Sequence, residues 1–324
     1  MYQNSNMKYI LAFFIFMIVL FIYTHIYYNL KTSSDLEVFE VDNLSKDKLE
    51  EICNYRQPVM IDHNVENIIS QCNLQEVKKN YGAFDVNIRN VKEQDDASEL
   101  YIPFTLDGAV SLFEKDQEKK YITENNSDFL TETGLKKAYS YNDGFYRPQL
   151  VSSCNYDLVC GSKSVTTPLR HSLSNRNYFI VTEGKVTMRL VAPNSSKYLY
   201  EIKDYENYEF RSPVNPWDVQ ANYRADFSKF KTLDVVLTPG KVFYLPPYWW
   251  YSIRFDELSS ISLLQYDTYM SSLSILPIIL THKLQQLNVK REHITKYTKQ
   301  PQQETETSIS EQQLDISGNS ITKN

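Results

Sequence analysis

The stretch that most constrains the fold is residues 237–255, LTPGKVFYLPPYWWYSIRF. Its Pro239-Gly240 pair predicts a tight reversal, because proline presets φ for a turn and glycine accepts a positive φ. Pro246-Pro247 interrupts the chain again, between a strand at 242–245 and another from about residue 252. Short aromatic strands separated by such breaks indicate a β structure that holds bulky side chains in place.

A second feature is the apolar run at residues 9–28, YILAFFIFMIVLFIYTHIYY, which lacks Asp, Glu, Lys and Arg. About 20 apolar residues are enough for a helix to cross the hydrocarbon core of a bilayer. The run is longer than the apolar part of a signal peptide, and no small-residue cleavage site follows it. We therefore expect an uncleaved single-pass membrane anchor, with a cleaved signal peptide as the alternative.

The charges around this run favour one orientation. Lys8 and the α-amino group precede it, and Lys31 follows it. The positive-inside rule then predicts a cytosolic N-terminus and a lumenal or extracytoplasmic domain, with the reverse orientation as the alternative. N-glycosylation sequons begin at Asn43, Asn125 and Asn194, and they matter only if the domain is translocated.

The composition of the 324 residues is that of a globular protein, with 42% hydrophobic and 23% charged residues. The net charge is −6 and no long basic run occurs, so no nucleic-acid partner is expected. There are four cysteines but no C-x-x-C motif that would indicate zinc. Proximity favours a Cys154–Cys160 disulfide if the domain is lumenal, and the alternative is four free buried thiols.

The chain divides into a tail at 1–8, the anchor at 9–28 and a polar linker at 29–35. A folded domain follows at 36–270, then a helix at 271–290, restarted at Pro277, and a polar tail at 291–324. We expect this tail to be disordered, because apolar residues almost vanish from it.

Within the domain, turns separate many short strands. A Glu183-Gly184-Lys185 turn predicts a hairpin between strands at 178–181 and 186–190, and we expect the barrel strands to begin near Leu158. Helices are expected near 46–53, 65–72, 107–116 and 130–138. The pattern predicts a mainly β (α+β) fold, a jelly-roll or double-stranded β-helix barrel with flanking helices, plus the transmembrane helix.

The 237–255 stretch resembles the strand that carries the last metal ligand in cupin-like, JmjC-like domains, which are related to the Fe(II)- and 2-oxoglutarate-dependent asparaginyl hydroxylases. Their pattern there is roughly L-x-P-G-D-x-x-Y-I-P-P-x-W-W-H-x-V. In this chain Lys241 stands at the Asp position and Tyr251 stands at the histidine position. Ser212–Pro216 looks like the family's S-x-V-x-P loop, and the resemblance covers about residues 36–270.

The resemblance implies an iron held by two histidines and one carboxylate, with open positions for 2-oxoglutarate and oxygen. The first two ligands come from a T-P-L-H-x-D motif, which here reads Thr167-Pro168-Leu169-Arg170-His171-Ser172. In the direct alignment Arg170, Ser172 and Tyr251 occupy the ligand positions. A one-residue shift would instead keep His171, put Leu173 at the carboxylate position and bring Asn177 and Gly184 into the family spacing.

The histidine count agrees with degenerate ligand positions. Of five histidines, only His171 falls within the predicted strands of the sheet structure. His25 is in the anchor, His63 is expected in a turn, and His282 and His293 are near the C-terminus. Without a second imidazole an ordinary facial triad cannot be assembled, so no metal and no cofactor are expected.

Other positions are candidates for the lining of the pocket. The family often binds the oxoglutarate carboxylate with a basic residue two after the hairpin glycine, where this chain has Val186. Lys185 is one residue away, so its side chain should point to the other face, and we expect it to be solvated. Trp249 and Trp250 are predicted to form core and pocket wall rather than to recognise a ligand. Thr167 and Asn177 complete the pocket candidates.

Arg170 has two readings. Its guanidinium would either bind a carboxylate or phosphate ligand, or have only a structural role, in which it pairs with an acid such as Asp267 in place of the metal's charge or faces solvent. Tyr251 is expected to donate a hydrogen bond into the pocket, with ligation of iron by its phenolate as the minor alternative.

These observations predict a membrane-anchored, catalytically degenerate cupin-like domain that binds or scaffolds an unidentified protein or ligand. The alternative is an active Fe(II)/2-oxoglutarate-dependent protein hydroxylase with a non-standard ligand set. A third function, a sugar-modifying or other metal-dependent cupin enzyme, has no supporting ligands in the sequence.

Overall fold

The computed structural model describes residues 2–42, 44–92 and 100–287, with side chains from residue 7. The predicted tail at 291–324, the end of the predicted 271–290 helix and the sequon asparagine Asn43 lie outside the described residues. The helices are α1 Tyr2–Leu30, α2 Lys46–Asn54, α3 Glu66–Cys72, α4 Leu74–Tyr81, α5 Leu106–Lys115, α6 Ser127–Glu132, α7 Leu135–Asn142, α8 Arg224–Phe227, α9 Tyr269–Ser274 and α10 Leu276–Gln286. Short 3-10 helices span Pro193–Tyr198 and Ala221–Tyr223.

The described residues form two sheets. The strands are β1 Phe39–Asp42, β2 Val59–Asp62, β3 Asp85–Asn90, β4 Ile102–Thr105, β5 Tyr121–Thr123, β6 Val151–Gly161, β7 Arg170–His171, β8 Arg176–Glu183, β9 Val186–Val191, β10 Ile202–Asp204, β11 Glu209–Arg211, β12 Thr232–Leu237, β13 Lys241–Leu245, β14 Trp250–Phe255 and β15 Ser259–Thr268. The larger sheet has the order β1-β2-β13-β8-β15-β6-β5-β3-β4, and the smaller has the order β10-β11-β7-β14-β9-β12. The β1–β2 pair is parallel, and the other pairs are antiparallel.

Alternation of side chains along the strands divides the core into two parts. Phe179 and Ile261 of the larger sheet pack with Met188, Ile253 and other apolar residues of the smaller sheet. The neighbouring residues on the same strands, such as Tyr178 and Leu264, point to the other face and pack with helices α2 to α7. The result is a β-rich α+β fold with helices against the larger sheet, which confirms the predicted class at that level.

The predicted hairpin at Gly184 is wrong. β8 pairs with β13 and β15 in the larger sheet, whereas β9 pairs with β12 and β14 in the smaller one. The turn therefore carries the chain from one sheet to the other. Lys185 N–H donates to Ser259 Oγ (3.0 Å) and Asp256 N–H donates to the Lys185 carbonyl (3.0 Å), so the turn is bound to the β14–β15 connection.

Two further expectations need correction. β6 begins at Val151, seven residues before the expected start near Leu158, because it pairs with β15 along almost its whole length. The Cys154–Cys160 disulfide is excluded, since both residues lie on β6 and six strand residues span about 20 Å, well beyond disulfide reach. All four cysteines are free, but only Cys53, Cys72 and Cys160 are buried, so the alternative of four free buried thiols holds for all but the half-buried Cys154.

The C-terminal helix restarts as predicted, but the break falls at Ile275, between α9 and α10. Pro277 lies in the first turn of α10, where a missing N–H costs no helical hydrogen bond.

Helix α1 contains Met7–Leu30, which has the length and composition to span a membrane and a mean hydropathy of 2.4 in its most apolar part. Its C-terminal end is bound to the domain, because the Arg56 guanidinium donates to the carbonyls of Asn29 (2.7 Å) and Lys31 (2.7 Å) and to Asn29 Oδ1 (2.9 Å). Tyr28 Oη also donates to the Asn54 carbonyl (3.0 Å). The first residues of the expected 29–35 linker therefore belong to this helix and to its contact with the domain.

Candidate ligand cleft

Two short strands of the smaller sheet position the central side chains. β7 pairs with β14 so that Arg170 lies opposite Tyr251 and His171 lies opposite Trp250. Because side chains alternate along a strand, Arg170 and Tyr251 share one face and His171 and Trp250 share the other. The Tyr251 ring contacts Phe179 of the larger sheet at 5.2 Å between ring centroids, so the first pair faces the interior between the sheets.

Arg170 belongs to a buried cluster of two arginines and two glutamates. Its Nη2 lies 2.5 Å from Glu124 Oε2, and its Nη1 lies 3.6 Å from Glu209 Oε1. Arg89 Nη1 bridges the same two carboxylates at 2.8 Å each. The prediction that Arg170 pairs with Asp267 is wrong. The Asp267 carboxylate accepts from Asn175 N–H (2.9 Å) and Ser153 Oγ (3.3 Å) instead.

The cluster has a strong internal field. Burial opposes ionisation of Glu124, but attraction to Arg170 and Arg89 outweighs it and lowers the pKa of Glu124 from 4.5 to about 2. For Arg170, burial is likewise outweighed by the negative charge of Glu124, and its pKa rises well above the ordinary value. Glu124, Arg89 and Arg170 are therefore charged at neutral pH.

Some atoms of the cluster are buried without a hydrogen-bond partner in the described part of the chain. They are Nε of Arg89, Nε of Arg170 and Oε2 of Glu209. Buried polar atoms are nearly always satisfied in native proteins, so these atoms mark a place where water or a ligand is needed.

A cleft of about 340 Å³ opens beside the cluster. Its wall includes Arg170, Tyr251, Glu124, Glu209 and Asp157. Burial raises the pKa of Asp157 to about 7, although its oxygens accept from the N–H groups of Asn125 and Asn126 at 2.8 Å each. The wall thus holds one carboxyl group that changes charge near neutral pH.

Tyr251 is a protonated phenol in this setting. Its side chain is buried, and burial raises its pKa although the nearby Arg170 opposes the shift. The Arg170 guanidinium lies 5.7 Å from the centre of the Tyr251 ring. Tyr251 is therefore placed to donate a hydrogen bond, and it is a poor ligand for a metal ion.

His171 points away from Arg170. Its Nε2 lies 2.8 Å from Glu201 Oε1, and its ring lies 4.6 Å from Trp250 and 5.4 Å from Phe210 between centroids. Leu173, at the carboxylate position of the shifted alignment, packs with Phe210 and Ile275.

Ser172 lines the cleft, where its Oγ accepts from Gln265 Nε2 at 3.2 Å. Asn177 is linked to the same Gln265 at 2.8 Å, just behind the wall. Thr167 is structural, since its Oγ1 accepts from the Ile253 N–H at 2.9 Å.

The remaining candidates lie away from the cleft. Lys185 is exposed at the turn between the sheets, and Val186 is fully buried between them. Trp249 and Trp250 are both buried, and Trp250 Nε1 donates to Ser196 Oγ at 2.8 Å.

Sequence reasoning missed Arg89, Glu124 and Glu209. Glu124 directly follows the short strand β5, Arg89 lies on β3 and Glu209 begins β11. No local motif marks these residues, and only the pairing of distant strands brings them to Arg170.

The donor set does not fit the iron site of the resembled family. At the direct-alignment positions a guanidinium, a serine hydroxyl and a buried phenol replace two imidazoles and a carboxylate. Within the described ranges no three His, Cys, Asp or Glu side chains are grouped so that they could hold a metal ion. The arrangement is suited to hydrogen bonding and charge pairing.

Comparison with known proteins places the chain in a family. A family model described as a cupin-like domain matches residues 28–268, well over half of the chain. A search of curated proteins finds no match. The matched region contains both sheets and the whole cleft, so the chain belongs to the cupin-like domain family.

Proposed function

We propose that this chain is a single-pass membrane protein whose cupin-like domain works as a metal-free binding or scaffold module. Helix α1 would be the anchor, and the two sheets would be the two halves of a double-stranded β-helix. The apolar Met7–Leu30 helix and the family match at 28–268 support these two parts of the proposal.

The observation that carries the proposal is the position of Arg170. It lies opposite Tyr251, at two positions where the resembled hydroxylases have iron-binding histidines. Its guanidinium is held there by Glu124 and Glu209. A fixed positive charge repels a divalent cation, strongly so in a buried site of low dielectric constant.

The co-substrate position supports the same reading. Val186, two residues after Gly184, is fully buried among apolar side chains and has no charge for a carboxylate. Lys185 is exposed and does not line the cleft.

What the cleft offers instead is hydrogen bonding. Arg170 Nε and Glu209 Oε2 are buried without a hydrogen-bond partner within the described residues, although Glu209 Oε2 lies 4.0 Å from Arg211 Nη1, and Tyr251 carries a phenolic proton. A ligand that accepts from Arg170 and Tyr251 and donates to Glu209 would satisfy these groups. We therefore infer a small polar ligand, or a polar side chain of a partner protein, as the occupant.

A metal and turnover assay tests the non-enzymatic part. The full-length chain, purified in detergent, is titrated anaerobically with Fe(II) and then assayed for succinate released from 2-oxoglutarate. We expect no stoichiometric iron and no succinate above the protein-free blank. Iron near one equivalent per chain with oxoglutarate-dependent succinate release would establish the hydroxylase alternative.

A gain-of-binding variant tests the ligand positions. Arg170→His, Ser172→Asp and Tyr251→His together should create measurable metal binding if the backbone is kept, because the triad is then complete. The matched control is Arg170→Gln, Ser172→Asn and Tyr251→Phe, which removes the same groups without adding ligands. Equal metal binding by both variants would show that the direct alignment is wrong.

A further inference from the structure

Helix α10 has an apolar face that points away from the domain. Leu276, Leu280, Leu284 and Leu287 are 41%, 54%, 66% and 76% exposed. Their spacing of four, four and three residues puts them within an arc of about 80° on the helix surface. We call these four residues the leucine stripe.

The opposite face of α10 holds the helix on the domain. Ile278 and Ile279 pack against the cluster that contains Phe210, and His282 Nδ1 donates to the Tyr205 carbonyl at 2.6 Å. The helix is therefore docked on the domain, and the leucine stripe is its outward face. A docked surface helix normally has polar residues there, so this apolar face points to a further contact.

The position of α9 and α10 indicates what that contact is. α9 packs against α1, the helix with the composition of a membrane span. Thr268, the N-cap of α9, lines one crevice together with His25, Tyr28 and Asn29 of the last turns of α1. Tyr269 and Leu273 of α9 are themselves exposed, at 66% and 37%.

We propose that the leucine stripe, with Tyr269 and Leu273, lies in the interfacial layer of the lipid bilayer that α1 enters. Helices with an apolar face bind at this depth, parallel to the membrane surface. The proposal rests on the membrane anchorage proposed above. The chain after Leu287 is a poor alternative occupant, because Gln, Glu, Lys, Thr and Ser dominate its sequence and it has no apolar helical repeat.

The test uses the full-length chain in phosphatidylcholine vesicles. An environment-sensitive fluorophore is attached at Leu284→Cys or, as matched control, at Gln285→Cys, which points toward the side of α10. Cys154 is replaced by serine in both, since the other cysteines are buried. Lipids brominated near the top of their acyl chains should quench the label at 284 about twofold or more over that at 285, because depth in the interface differs between the two faces.

Alkaline carbonate extraction of the same vesicles separates this proposal from the anchor. If carbonate releases the chain, membrane anchorage and the proposal both fail. If the chain is retained and the label at 284 is no more quenched than that at 285, the proposal alone is overturned. A third outcome also overturns the proposal. If the emission of the label at 284 reports an apolar environment that lipid bromines do not quench, and if this emission changes with the protein-to-lipid ratio, the leucine stripe contacts a second copy of the chain.

Discussion

At the scale of single residues, the buried ion cluster explains how Arg170 is kept beneath the cleft. A lone buried charge is costly, and two arginines and two glutamates in contact offset the desolvation of one another. Such a cluster adds little stability compared with an apolar core, but removing one member leaves an uncompensated charge. The cluster therefore fixes the chemistry of the cleft wall more than it stabilises the fold.

The first prediction follows from this asymmetry. We expect Arg170→Met to lower the free energy of unfolding by about 3–5 kcal/mol, because Glu124 and Glu209 then share only Arg89 and part of their buried negative charge is uncompensated. Urea unfolding followed by tryptophan fluorescence measures this. Arg254→Met, which breaks a half-exposed pair with Asp256, is the control and should cost about 1 kcal/mol. Adding Glu124→Gln should recover part of the loss, and equal costs for the two single variants would contradict the role given to the cluster.

The second prediction concerns acid. The pKa of Glu124 falls from 4.5 to about 2 on folding, so its contribution to stability is complete above about pH 4.5 and is lost as the pH falls toward 2. Asp157 acts oppositely, because its pKa rises from 3.8 to about 7 and its contribution declines as the pH rises between those values. The measurement is therefore the difference in unfolding free energy between the natural chain and Glu124→Gln at each pH. This difference should shrink from pH 5 to pH 3, and a constant difference would refute the assignment.

At the scale of elements, the turn at Gly184 carries the chain from the larger sheet to the smaller one. Gly184 has φ of +79°, and a Cβ there would lie 2.3 Å from Ser259 Oγ and 2.8 Å from the Leu258 carbonyl. Gly134 has a similar φ of +76° but no atom within 4 Å of a built Cβ. Alanine substitutions at these two glycines therefore separate two costs in unfolding free energy: the cost of the positive φ, which both share, and the cost of the close contact, which only Gly184 has.

We therefore expect Gly134→Ala to cost about 1 kcal/mol, the conformational penalty alone. Gly184→Ala should cost about 1–3 kcal/mol more, since the added methyl group displaces the β14–β15 connection. Thermal or urea unfolding of the two variants gives the comparison. If both lose the same free energy, the contact between the turn and Ser259 is unimportant for stability.

Local signals in the sequence predicted where helices and strands lie better than they predicted which strands pair with each other. The predicted strand at 186–190 corresponds to β9, whose Val186, Met188 and Leu190 are buried, and the helix expected near 46–53 corresponds to α2, which Ser45 caps. Gly184 predicted a reversal correctly, yet a turn does not specify which strands pair, so the hairpin was wrong. Pairing is decided by contacts far apart in the chain, here with β12 and β14.

The same limit applies to the cleft. The resemblance brought positions 170 and 251 together, and the structure has them opposite each other. Strand alternation then explains why His171 points to the other face, which no alignment by spacing alone could decide. Glu124 and Arg89 reach Arg170 only through the pairing of β3, β5 and β6.

At the scale of the whole molecule, the orientation in the membrane is open to a direct test. Of the sequon asparagines in the described residues, Asn125 and Asn194 are both exposed. If the domain is extracytoplasmic, as we propose from Lys8, expression in a eukaryotic cell should give a glycosidase-sensitive mass shift. Asn194→Gln should reduce that shift. Digestion of the domain by protease added to the cytosolic side of sealed membranes would reverse the proposed orientation.

The clamp between Arg56 and the last turn of α1 has a mechanical consequence. If α1 spans a membrane as proposed, the domain cannot swing on it as it would on a flexible tether, because the Arg56 guanidinium binds the carbonyls of Asn29 and Lys31. Tilting or rotating the helix within the bilayer would then turn the cleft through the same angle. A neighbouring membrane protein that contacts only the helix would thus change the orientation of the cleft opening without touching the domain.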